Sequence, residues 1–174
     1  MAELRRVYID TCCFVDVVRI DLGHLLTTDK EEDVWHVKKL LEANRDGEVV
    51  IYTSSLTIAE CRHAGQGLVT DAVKSQFSRL LMSGQYVRLV QMTPFIAQDA
   101  RDGISLKGAD SIHVASALDR KCDELLTGNG RMGRLGKQDG PLAKLGLHVR
   151  HGRHTQSLPD KYRQMELGDG QQVH

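Results

Sequence analysis

The chain has no excess of either charge. Its 174 residues hold 23 Lys and Arg against 23 Asp and Glu, so no bulk field draws it to nucleic acid or membrane. Any polyanion must meet a local patch instead. Long apolar runs are also missing, and nothing approaches the ~20 residues of a bilayer-spanning helix. The four cysteines, Cys12, Cys13, Cys61 and Cys122, form no C-x-x-C pair. That excludes a zinc-finger spacing or a disulfide framework, and suits thiols in a reducing cytoplasm. The opening MAELRRVYID enters an apolar strand without the hydrophobic core of a secretory signal, so a cytoplasmic location is expected.

What is present reads as one globular domain, with 41% apolar and 26% charged residues. Charge is uneven along it. Ile20 to Glu60 carries nine acids and four Lys or Arg; Arg131 to His154 carries six Lys or Arg and the single acid Asp139. This is either two solvated faces or a basic rim for a phosphate backbone beside an acidic centre. Short β-branched and aromatic runs predict strands over residues 6–9, 48–53, 86–92, 124–127 and 147–150. Apolar residues at helical spacing predict helices over 14–20, 31–45, 70–83, from Thr93-Pro94, and over 107–121. Another is expected to start at Ser54 or Ser55. Strands alternating with helices imply an α/β fold with a mostly parallel sheet covered on both faces. The domain is expected to span residues 1–151, with a polar tail over 152–174.

Three acids stand at the ends of predicted β-elements. Asp10 closes Val7-Tyr8-Ile9, Glu60 follows the second strand in Ser55-Leu56-Thr57-Ile58-Ala59-Glu60, and Asp110 lies near the start of Ala109-Asp110-Ser111-Ile112-His113-Val114-Ala115. In open α/β sheets, sites form beyond the carboxyl ends of strands. A carboxylate cluster repels itself and calls for a divalent cation. Each acid also has a local explanation, Asp10 as a turn or cap residue, Glu60 as a solvated helix residue and Asp110 as a favourable charge at a helix start.

These segments, with Leu125-Leu126-Thr127-Gly128-Asn129, resemble the motifs of the PIN-domain family of metal-dependent nucleases, in the family's order from about Val7 to Val149. The resemblance implies a three-layer α/β/α sandwich in which Asp10, Glu60 and Asp110 converge as ligands of Mg²⁺ or Mn²⁺. It implies a catalytic set of these three with Asn129, supported by Thr11, Thr127 and His113. The implied reaction is endonucleolytic hydrolysis of RNA phosphodiesters. The small size resembles the toxin half of bacterial toxin–antitoxin pairs (VapC-type), which implies a small antitoxin partner and a homodimer. No membrane association is expected.

One departure stands out. The family usually has an aspartate where this chain has Asn129, which keeps an oxygen ligand and loses a charge. That keeps open an alternative, a weak or inactive PIN-like domain that binds RNA or protein without cutting. Arg131, Arg134 and Lys137 follow that loop and are the candidate RNA-phosphate contacts. Asp123 precedes its strand and is expected at the opposite end of the sheet.

Overall fold

The structure, a computed structural model, describes residues 3–61, 70–104, 106, 108–128 and 139–164. Five strands form one sheet: β1 (Arg5–Ile9), β2 (Val49–Ser54), β3 (Arg88–Val90), β4 (Glu124–Leu126) and β5 (His148–Arg150). The order is β3-β2-β1-β4-β5 and every pairing is parallel. The described helices are α1 (Thr11–Asp21), α2 (Thr28–Arg45), α3 (Leu56–Glu60), α4 (Asp71–Met82), α5 (Pro94–Asp102), α6 (Ala109–Asp119) and α7 (Asp139–Ala143).

Strand alternation sorts the core into two faces. Val7, Ile9, Val49, Ile51 and Leu126 turn toward α1, α2 and α4, where Phe14, Val17, Val37, Leu40 and Phe77 receive them. Tyr8, Leu125 and Val149 turn the other way, onto Val114 and Ala117 of α6 and Leu142 of α7. Ile96 and Ala100 bring α5 to that second face against Val90 and Ala115. The protein is therefore a three-layer α/β/α sandwich on a parallel sheet. Among the described residues no helix is long and apolar enough to cross a membrane.

The topology creates a place for a site. The chain leaves β1 for β2 and β3 on one side, then crosses back to β4 and β5 on the other. Connections diverge at the carboxyl end of β1, and such a switch point opens a crevice.

Several boundaries differ from the sequence reading. Helix α1 begins at Thr11 rather than Phe14, because Asp10 accepts a hydrogen bond from the Thr11 N–H and caps it. Helix α2 begins at Thr28, three residues before the expected Glu31. Strand β3 keeps only Arg88–Val90 of the expected 86–92, since it is an edge strand paired to β2 alone. Helix α6 starts at Ala109, preceded by Gly108 at φ 63°, a backbone that favours glycine.

The larger correction concerns the expected tail. Residues 152–164 lie against the body, while 165–174 fall outside the described residues. Gly152 passes so close to α2 that a Cβ there would sit 2.5 Å from the Asp33 carbonyl oxygen. Arg153 donates from its backbone N–H and its Nη1 to the buried Asp33 carboxylate, at 2.9 and 2.8 Å. The Thr155 hydroxyl and the Gln156 N–H donate to buried Glu124, and Leu158 enters the main core. Polar residues hold this strap because they satisfy buried acids, a reason that leaves no hydrophobic period to read.

Candidate functional site

The end of β1 delivers Asp10 at the switch point. Its Oδ1 accepts from the Thr11 N–H at 2.7 Å, and its Oδ2 accepts from the Thr127 hydroxyl at 2.9 Å and the Cys12 thiol at 3.2 Å. The cap role weighed from the sequence is real, and the same carboxylate also reaches across to the end of β4. Thr127 is placed there because its N–H continues the sheet by donating to the Arg150 carbonyl.

Glu60 ends the short α3, which begins just past β2. Its Oε2 accepts from the Thr11 hydroxyl at 2.6 Å and lies 2.8 Å from His113 Nε2. Asp110 sits in the first turn of α6, where a negative charge suits the helix dipole. One turn further on, buried His113 places Nε2 3.4 Å from Asp10 Oδ1 and Nδ1 2.7 Å from the Tyr8 hydroxyl. Burial opposes the charged form of His113. The Glu60 hydrogen bond and the Asp10, Glu60 and Asp110 charges prevail, and its pKa lies above the ordinary imidazole value. Burial, reinforced by the Asp10 charge, pushes the Tyr8 phenol far upward, so it stays protonated.

Asp10, Glu60, Asp110, Thr11, Thr127 and His113 all line one cavity of about 330 Å³. The structure thus brings together six residues singled out from the sequence. Asn129, Arg131, Arg134 and Lys137 lie outside the described residues. Asp123 stands at the far end of the sheet, as expected, with its carboxylate on the Arg6 N–H and the Arg5 guanidinium.

The sequence reading missed other residues of the cavity. Cys12 joins the wall, accepting from the Gly128 N–H at 3.1 Å. Asp16 carries Lys30 Nζ at 2.8 Å and Arg19 Nη1 at 3.5 Å, and all three line the cavity. A signal for Asp16 existed: it is an acid inside the apolar run Phe14–Val18, a position that requires a partner. Nothing local points to Lys30, which precedes the expected helix over 31–45.

The donor set suits a hard divalent cation, because Asp10, Glu60 and Asp110 offer only oxygens. Their present placement is not yet a coordination shell. Among the described residues, no three His, Cys, Asp or Glu side chains form a group that could hold a metal ion. Glu60 is turned onto Thr11 and His113 instead.

No family model matches the chain, and neither a curated protein nor a solved structure matches it.

Proposed function

We propose that the protein is a Mg²⁺- or Mn²⁺-dependent endoribonuclease that hydrolyses RNA phosphodiester bonds. One observation carries this reading. Three carboxylates from separate segments, Asp10, Glu60 and Asp110, line a single cavity at the switch point of a parallel sheet. These three residues would hold the cation. When bound, such an ion acidifies a water molecule and offsets charge on the transferring phosphoryl group.

The chain's own groups prepare that role. Thr127 and the Thr11 N–H fix both oxygens of Asp10. Glu60 rests on the Thr11 hydroxyl and His113, and would have to turn from them to meet the cation. The fixed placement of Asp10 limits the reorganisation needed at the moment of reaction. The toxin role, a small antitoxin partner and a homodimer complete the proposal and rest on the motif resemblance alone; the proposed cytoplasmic location rests on the cysteine pattern.

A second reading, an RNA- or protein-binding domain that does not cut, is favoured by the engagement of Glu60 with Thr11 and His113 and by the asparagine at 129. Cleavage of labelled RNA separates the two. The nuclease should cut with Mg²⁺ or Mn²⁺ and stop in EDTA and in Asp110→Asn. Folded protein that cuts with neither ion would leave the binding domain.

A further inference from the structure

The cavity that holds the acids is also lined by two cations, Arg19 and Lys30. We infer that Arg19 and Lys30 grip the phosphate backbone of single-stranded RNA there, with Asp16 aiming them. The inference rests on the proposed substrate class and not on cleavage.

Arg19 comes from α1 and Lys30 from α2, and both converge on the carboxylate of Asp16. The Asp16 side chain is only 7% exposed, whereas those of Arg19 and Lys30 are 31% and 33% exposed. One buried acid needs one cation for neutrality, yet it has two. The wall keeps a net positive charge, and both cations still reach solvent. Arg19 Nε is itself buried, so any phosphate would meet the exposed part of the side chain.

Among the described residues, two other cations around this end of the sheet are also paired and are less exposed. Arg150 pairs with Glu124, and Arg153 pairs with Asp33 and Asp29. A phosphodiester approaching Asp10, Glu60 and Asp110 meets repulsion, so a productive site needs positive charge on the same cavity. Arg19 and Lys30 supply it. Guanidinium and ammonium groups both bind phosphate oxygens, the first through a planar fork and the second as a point charge.

The alternative is a clamp that only joins α1 to α2. Binding of a fluorescent single-stranded RNA, measured in EDTA across a salt series, tells them apart. The proteins are wild type, Arg19→Gln, Lys30→Gln, Lys30→Arg and Asp16→Asn, each with its melting temperature. If the pair grips phosphate, each Gln variant weakens binding about three- to tenfold and lowers the salt slope by about 0.7. Lys30→Arg restores both quantities. Asp16→Asn frees both cations and binds as well as wild type or tighter, even if it melts earlier.

Wild-type affinity in both Gln variants, or no RNA binding by wild type, would overturn the inference. Loss in Asp16→Asn equal to that in Lys30→Gln, with no rescue by Lys30→Arg, would reduce the pair to a clamp and overturn it too. If the binding results hold while no metal ion supports cleavage, the nuclease reading fails and the phosphate wall stands. If wild type cuts RNA and both Gln variants bind it normally, only the wall fails.

Discussion

Replacing Gly152 with alanine should unlatch the strap that follows β5. The added Cβ would lie 2.5 Å from the Asp33 carbonyl oxygen and 3.1 Å from the Asp33 carbonyl carbon and Cα. All three are backbone atoms in the middle of α2, so no side chain can swing aside. Overpacking of this kind costs about 1–3 kcal/mol. Lifting the strap would also pull Arg153 off Asp33, which is 6% exposed and takes two hydrogen bonds from that residue. A buried carboxylate robbed of its partner costs ~3–5 kcal/mol when it stays dry, and less when the lifted strap admits water. A combined loss of ~2–4 kcal/mol is expected, or roughly 5–15 °C in melting temperature for a chain of this size. Gly140 provides the control. A Cβ there meets nothing within 4 Å, and alanine in α7 should be neutral or stabilise by up to ~1 kcal/mol. Urea and thermal melts of both variants decide the matter. Equal stability of Gly152→Ala and wild type would refute the close approach and return residues 152–164 to the status of a tail.

Other consequences concern the thiols and the cation. Burial pushes the Cys61 and Cys122 thiols up to about 12, and the Cys12 hydrogen bond, followed by burial, holds Cys13 well above its ordinary value. Near pH 8 those three should resist iodoacetamide in the folded protein while the half-buried Cys12 reacts; peptide mass spectrometry showing comparable labelling of Cys61 would contradict this. Mn²⁺ or Mg²⁺ at ~100 times its dissociation constant should stabilise the protein by about 2.7 kcal/mol. Asp10→Asn and Asp110→Asn should abolish the corresponding rise in melting temperature, and a rise preserved in both variants would place the cation elsewhere.

The layers could be read from the sequence because they rest on local period. Alternation in Val7-Tyr8-Ile9 assigns its residues to opposite faces, and Thr93-Pro94 announces α5 through a capping hydroxyl and a first-turn proline. Asp10, Glu60 and Asp110 were legible for a related reason. A parallel sheet sends every strand's carboxyl end the same way, so Asp10 and Glu60 just past two strand ends meet Asp110 at the start of the helix that leads back to β4. Asp123 falls at the other end by the same logic. Unreadable features depend on pairs far apart in the chain. Thr155 answers Glu124 across 31 positions, and Arg153 answers Asp33 across 120. Lys30 looked like a loop residue because its role depends on how α2 docks beside Asp16.

Tyr8 explains why the acids need more than their own chain neighbours. It sits on the face of β1 opposite Val7 and Ile9, with no exposed surface, and looks like plain core. Its hydroxyl accepts from the Ser54 N–H at 2.8 Å and stands 2.7 Å from His113 Nδ1. Since His113 Nε2 touches Glu60, the phenol fixes from behind the ring that holds the carboxylate in front. Tyr8→Phe would leave two buried groups, the Ser54 N–H and His113 Nδ1, without that oxygen. Each unsatisfied group costs about 1–3 kcal/mol, so a loss of ~2–5 kcal/mol is expected, far more than for a tyrosine whose hydroxyl meets water. Urea melts measure that loss, and nitrogen chemical shifts of His113 report whether the ring has lost its fixed environment. Unchanged stability together with unchanged shifts would show that the Tyr8 hydroxyl does not fix the His113 ring. Strand β1 then has three duties from consecutive residues. Ile9 fills the core, Tyr8 braces the histidine through the opposite face, and Asp10 leaves the tip as the carboxylate that the brace surrounds.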